Sequence, residues 1–210
     1  MLLSAPPRSG VVARRRAAHG MTVVELTIVL VLASLLAGLA TPSIQGWIRG
    51  AQLRSLAEGV LGGLRLAQSE ALRRDRQVLL VRTSDPACTV DVPSSPTGRH
   101  WMVRTVAAFD GDAVDIVRCG ALDTAATGIT LTGPVALCFN SAGRLAAHPD
   151  PGAGGAACVA QATRFDAGGR PGDRALAVVV PLSGTARLCD PQSALSGSAP
   201  HGCPTLVPSP

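Results

Sequence analysis

The chain has 210 residues, 47% hydrophobic and 16% charged, which excludes a disordered protein and fits one domain plus an extra segment. Aromatic content is 2%, with two Trp, three Phe and no Tyr, so a core has to be built from Val, Leu, Ile and Ala. The formal charge of +5 comes from arginine without any lysine, but Arg8, Arg14, Arg15 and Arg16 precede Gly20 and the remainder is near balance, which argues against a uniformly basic surface.

The first element is an apolar helix. Between Leu26 and Ala40 no side chain is charged, and only Thr27 and Ser34 are polar. Residues 21–40 would be about 30 Å long as a helix, one hydrocarbon thickness. Arg14-Arg15-Arg16 ahead of it favours a cytoplasmic N-terminus. Glu25 is the anomaly, because an unpaired charge deep in lipid costs about 2.5–3.5 kcal/mol. It lies outside the hydrocarbon or has a partner from another chain. A secretory signal cut after Gly38-Leu39-Ala40, or an unprocessed anchor, are the plainer readings of the same run.

Gly20 before the apolar run, Glu25 five residues on and Pro42 at position 22 from the same point resemble the class III signal of type IV pilins and pseudopilins. The resemblance implies that prepilin peptidase cuts after Gly20 and methylates the new N-terminus, Met21, where the family usually has Phe. It also implies a single-pass inner-membrane protein with a periplasmic C-terminal domain. Its partners would be other major and minor pilins or pseudopilins. Cleavage frees a cationic α-amine on Met21, which gives Glu25 a partner on the neighbouring subunit and makes it an assembly residue. Pro42 has no amide hydrogen and kinks a helix that otherwise continues.

Beyond Pro42, Leu53, Leu56, Val60, Leu64, Ala67 and Ala71 recur three and four apart, the stripe of an amphipathic helix ending near Arg76. Arg54/Glu58 and Glu70/Arg74 are i,i+4 pairs on exposed faces. Gly59, Gly62 and Gly63 weaken this helix and are expected where something packs closely against it.

From Gln77 the pattern changes to short Val-rich runs: "QVLLVR", "HWMVRTV", "VDIVR", "ITL", "VALCF", "RLAA", "ALAVVV" and "TARLC". Asp110-Gly111, Ser141-Ala142-Gly143 and Ser183-Gly184 are hairpin-turn candidates. The expected fold is α+β, a long N-terminal helix on a small antiparallel β-sandwich of about eight strands. The expected boundaries are 1–20 leader, 21–48 transmembrane and assembly helix, 49–189 head domain and 190–210 tail.

"LRLAQSEALRRDRQVLL", "VALCFNSAGRL" and "VVVPLSGTARLC" resemble segments of FimT/GspH-type minor pseudopilins, the first through their Ala-Arg-Ser-Glu-Ala pattern, here Ala67-Gln68-Ser69-Glu70-Ala71. FimT-like members serve type IV pili and DNA uptake in transformation; GspH-like members serve type II secretion. The FimT-like pattern Gly-Arg-x-Arg-x-Cys, implicated in DNA binding, matches Gly184-Thr185-Ala186-Arg187-Leu188-Cys189, with Thr185 at the first Arg place. The resemblance makes Arg187 a candidate contact to double-stranded DNA, with Arg174, Arg170 and Arg144 as helpers. The charge around them is nearly balanced, so a solvated surface with scattered arginines is the competing reading.

Cys88, Cys119, Cys138, Cys158, Cys189 and Cys203 are an even set in a chain read as facing an oxidising compartment. Near-neighbour pairing gives Cys189–Cys203, Cys138–Cys158 and Cys88–Cys119. Zinc is the rival, without a C-x-x-C and with His100, His148 and His201 far apart. Asp110, Asp112 and Asp115 could hold Ca²⁺ but lack EF-hand spacing. "PDPGAGGAA" at 149–157 lacks the lysine and strand–loop–helix context of a phosphate cradle. No cofactor is implied and no catalytic spacing emerges. A membrane-anchored enzyme is the reading from another class.

Overall fold

The computed structural model describes residues 21–122 and 128–206, with only the backbone of 39–44. Helix α1 covers Val23–Arg74, and the chain divides into two compact units, Met1–Pro42 and Ser43–Pro210. Gly20 and the arginine leader lie outside the described residues, as does the side chain of Pro42.

In the first unit α1 is apolar on all sides and its side chains face outward. Val23 is 79% exposed, Leu30 60% and Leu36 68%. Among the described residues no helix is long and apolar enough to cross a membrane. The apolar run continues in sequence into Leu39 and Ala40, whose side chains are not described.

In the second unit α1 becomes one-sided. Leu53, Leu56, Val60, Leu64, Ala67 and Ala71 are all buried in one cluster. The helix stops at Arg74 because Asp75 takes a left-handed conformation (φ 51°), which an Asp at this capping position tolerates. Arg73 and Arg74 complement the dipole of that last turn.

Ten strands follow among the described residues: β1 Val78–Thr83, β2 His100–Thr105, β3 Ile116–Ala121, β4 Thr130–Thr132, β5 Ala136–Phe139, β6 Leu145–Ala146, β7 Thr163–Gly168, β8 Leu176–Val180, β9 Arg187–Ala194 and β10 Gly202–Cys203. They form two five-stranded sheets, ordered β3-β2-β1-β5-β6 and β10-β9-β8-β7-β4. The pairing is antiparallel except for β10 on β9. The α+β fold is as expected and each of the eight runs is a strand; two more join them, β7, "TRFDAG", whose charges and Gly mask the alternation, and β10, whose two residues carry no periodicity.

One core joins α1 to the inner faces of both sheets: Val78 and Leu80 from β1, Leu137 and Phe139 from β5, Phe165 and Val178 from β7 and β8. The two largest fully buried side chains are Phe139 and Phe165, so scarce aromatics still sit at the centre. β1 is buried along its whole length because its other face, Leu79 and Val81, is also covered. That cover is loop rather than regular structure, contributed by Val92, Ala153, Ala156 and Cys158.

Disulfides fasten these outer layers. Cys88–Cys119, Cys138–Cys158 and Cys189–Cys203 have Cα–Cα distances of 6.0, 5.6 and 4.9 Å. The second lies in the outer cluster of the first sheet and the third in that of the second sheet. Loops without a ladder of their own gain most from such cross-links, which restrict the unfolded chain. The paired thiols leave no Cys free for zinc.

Two further expectations change. Gly63 does sit close to a neighbour, where a Cβ would meet Leu80 at 3.0 Å, but nothing lies within 4 Å of Gly62. Glu70 is less open than an exposed helix face implies, with its side chain 14% exposed under Arg73 and Arg74.

Candidate functional site

The start of α1 is built by Thr22. Its hydroxyl accepts the backbone N–H of Glu25 at 3.2 Å, and its carbonyl accepts that of Leu26 at 3.1 Å. Thr22 is thus the N-cap and Glu25 the third helical residue, the capping-box spacing that favours a carboxylate at a positive helix end. The carboxylate itself has no hydrogen-bond or ion-pair partner among the described residues and is exposed, as is Met21.

The four arginines proposed for DNA do not form one patch. Arg144 lies in the β5–β6 turn and Arg187 opens β9 opposite Val179. Arg170 and Arg174 lie in the β7–β8 connection, at the other end of the β8–β9 ladder. All four are exposed. Arg174 is already paired with Asp190 at 3.2 Å, and Asp190 is held below the ordinary carboxylate range first by the Gln192 amide, then by Arg174. The side chains of Arg144, Arg170 and Arg187 make no ion pair among the described residues.

Gln68 was not singled out from the sequence as a site, yet it joins the helix to both hairpins. Its side-chain amide donates to the Gly143 carbonyl at 2.9 Å and to the Ser183 carbonyl at 3.3 Å. The Leu145 amide donates to Leu182, drawing the same two turns together. Gly184 is required here: φ is 84°, and a Cβ would land on the carbonyl oxygen of Gly143. The available signal was the resemblance segment at 67–71, where Gln68 stands at the Arg place. Arg49 is a second missed tie. It reaches Asp173 at 3.1 Å and keeps that carboxyl below its ordinary range, helped by the Arg170 amide.

Two of the three calcium candidates, Asp112 and Asp115, have other partners. Asp112 pairs with Arg76 at 2.5 Å, and the amide of Ala108 is the first cause holding its pKa low. Asp115 pairs with Arg74 at 2.9 Å. Among the described residues no group of acids, His and Cys is arranged to hold a metal.

The geometry is therefore that of a scaffold: one unit is an exposed apolar helix, and the other is a head whose turns are tied to its own stretch of helix. A family model for the type II transport protein GspH matches residues 56–184, more than half of the chain. The chain belongs to the GspH family. This makes it a pilin-like minor pseudopilin of the GspH/FimT type.

Similar solved structures include the type IV minor pilin FimU of Pseudomonas aeruginosa in two crystal forms. They share 18% and 20% identity over 70% and 67% of this chain and 98% of each FimU chain, with TM-scores of 0.47 and 0.45. The minor pseudopilin EpsH from the type 2 secretion system of Vibrio cholerae shares 17% identity over 65% of this chain and 95% of its own, with a TM-score of 0.40. A search of the curated proteins gave no match.

Proposed function

We propose that this GspH-family chain is a minor pseudopilin that assembles into or primes a type IV pilus. In this reading prepilin peptidase removes residues 1–20, Met21 is N-methylated, and residues 21–48 anchor the protein in the inner membrane until assembly. The head then faces the periplasm. The observation that carries the proposal is the first unit of α1, an apolar helix exposed on every side, whose capped start bears one carboxylate without a partner among the described residues. Such a surface is stable only in lipid or against other apolar helices. Once cut, the chain offers a cation at Met21 to the Glu25 of its neighbour, and the pair fixes axial register.

Glu25→Ala tests this directly. Membrane insertion and head stability are expected to remain, while recovery of the chain in sheared filaments falls to background. A variant recovered with filaments at the wild-type level would falsify the assembly role. The family match equally supports a second reading, a subunit of the type II secretion pseudopilus. Co-purification with the filament subunits of one machine and not the other separates them.

The finer reading, contact with double-stranded DNA, rests on Arg187 and Arg144, two exposed residues without acidic partners among the described residues, at or next to the turns that Gln68 ties together. Arg187→Ala should weaken binding by the full oxidised chain in detergent and reduce its salt dependence by about one unit of log–log slope. An unchanged slope removes Arg187 from the interface. Repetition along a filament would turn a weak site into a useful one through effective concentration.

A further inference from the structure

Two arginines in the head are almost completely buried, Arg82 and Arg104, each 2% exposed. Their surroundings differ. Arg104 donates to the Pro151 carbonyl at 2.8 Å and is attracted by Asp91 and Asp150. Arg82 has no acidic partner among the described residues. Its Nη2 donates to the Leu131 carbonyl at 3.2 Å, while Nε and Nη1 are buried without an acceptor. A buried, unpaired guanidinium is strongly disfavoured, because its hydration is lost and nothing replaces it. Desolvation lowers its pKa, yet an arginine still keeps its charge at neutral pH. Something has to offset this.

Arg82 also lines a cavity of about 520 Å³. One wall is the segment 96–99, the other is β4 with its flanks, the edge strand of the second sheet. The first wall is packed hard onto β1: a Cβ on Gly98 would fall 2.5–2.7 Å from the backbone of Thr83. Arg99, Thr97, Thr130 and Thr132 also line it, the Thr97 hydroxyl sharing a hydrogen bond with that of Ser95, and none of the described lining residues is acidic. A concave space lined by two arginines and three threonines suits an anion that accepts several hydrogen bonds.

We propose that the cavity between β4 and segment 96–99 is a carboxylate-binding site, with the buried Arg82 as its charged floor and Arg99 and Thr97 at its rim. The carboxylate comes from a free small acid or from the acidic group of a neighbouring chain. A planar guanidinium matches a carboxylate in two places at once, and here the single bond from Nη2 to Leu131 leaves the remaining N–H groups of Arg82 unused. The site is independent of the assembly helix and of the arginines proposed for DNA.

The test uses the full chain in detergent, following thermal unfolding in sodium acetate against sodium chloride at constant ionic strength. The Tm of the wild type rises saturably with acetate. Arg82→Met shows no acetate response and is at least as stable as the wild type without it, because the unpaired charge is gone. Should Arg82→Met fail to fold, the exposed rim variants Arg99→Gln and Thr97→Val carry the test, the first shifting half-saturation by about tenfold, the worth of one charged hydrogen bond. A peptide with a free terminal carboxylate that saturates well below acetate, while its amide is inert, identifies a neighbouring chain as the source. Acetate acting at the same concentration as the peptide identifies a free acid. If neither probe differs from chloride, or every variant responds like the wild type, the site does not exist.

Discussion

The two stretches of α1 have the same backbone and opposite side-chain chemistry. From Val23 to Gly38 the helix is apolar all round and exposed, whereas from Leu53 to Ala71 an apolar stripe is buried and the other faces are polar. The difference shows where each stretch finds its partner. The second is completed by the chain's own sheets, so its stability is a folding property. The first is covered by nothing among the described residues, and an all-round apolar surface of this kind needs an apolar environment to be stable. Pseudopilin chemistry on this scaffold is accordingly not a matter of a pocket. It is the choice of which helical surface the fold leaves unsatisfied.

The comparison breaks most visibly through one pair of substitutions. Leu64 is fully buried and Leu30 is 60% exposed. Leu64→Ala should destabilise the head by about 2–5 kcal/mol, since the cavity in the core adds to the lost transfer energy. Leu30→Ala should leave the same unfolding transition within about 0.5 kcal/mol. Denaturant unfolding of the full chain in detergent, followed by the head's Trp fluorescence, measures both. Equal effects at the two positions would show that the two stretches are not energetically distinct.

Much of this was legible in the sequence, for reasons that can be named. The stripe from Leu53 to Ala71 repeats at helical spacing, and a single period is enough to place a face. Most strands could be read because β1, β5 and β8 are continuous Val- and Leu-rich runs. β7 could not, because Arg164 and Asp166 interrupt it and pair with each other at 2.9 Å. Near-neighbour cysteines are joined in the structure because each pair ties a strand to the segment beside it, a loop for Cys119 and Cys138 and the short β10 for Cys189. Gln68 escaped because two side-chain bonds to carbonyls leave no pattern; both acceptors are backbone atoms that any residue would supply. Arg82 escaped for the opposite reason. Within "QVLLVR" it reads as the polar end of a strand, and only the sheets above it reveal its burial.

A middle-sized effect sharpens the picture of how the head is held on the second stretch of helix. Gln68→Ala removes the donor to Gly143 and Ser183 and leaves two turn carbonyls short of a partner. The expected loss is about 1–2 kcal/mol, with increased amide exchange in the turns at 140–144 and 182–185. If exchange rises only within α1, the amide is a helix residue and not a clasp.

The smallest effect concerns Glu70 at the C-terminal end of α1. Its hydrogen bonds with Arg73 and then with Arg74 lower its pKa to about 2, from an ordinary value of 4.5. The bonds are at 2.6 and 2.8 Å, and Arg73 is 63% exposed, so solvent screening keeps their contribution small. A depressed carboxylate pKa stabilises the fold above the unfolded value, and that contribution fades as pH falls from about 4.5 through 2. Glu70→Gln should therefore melt slightly below the wild type at pH 7, with the gap closing across that window. Added salt should narrow it at neutral pH as well, because screening acts on the exposed partner first. A gap that stays constant from pH 7 to pH 2.5 would assign the difference to packing of the side chain. In the first unit of α1, the Glu25 carboxylate has no such arginine among the described residues. Within them the helix ends in a carboxylate satisfied by its own last turn and begins with one that is left open.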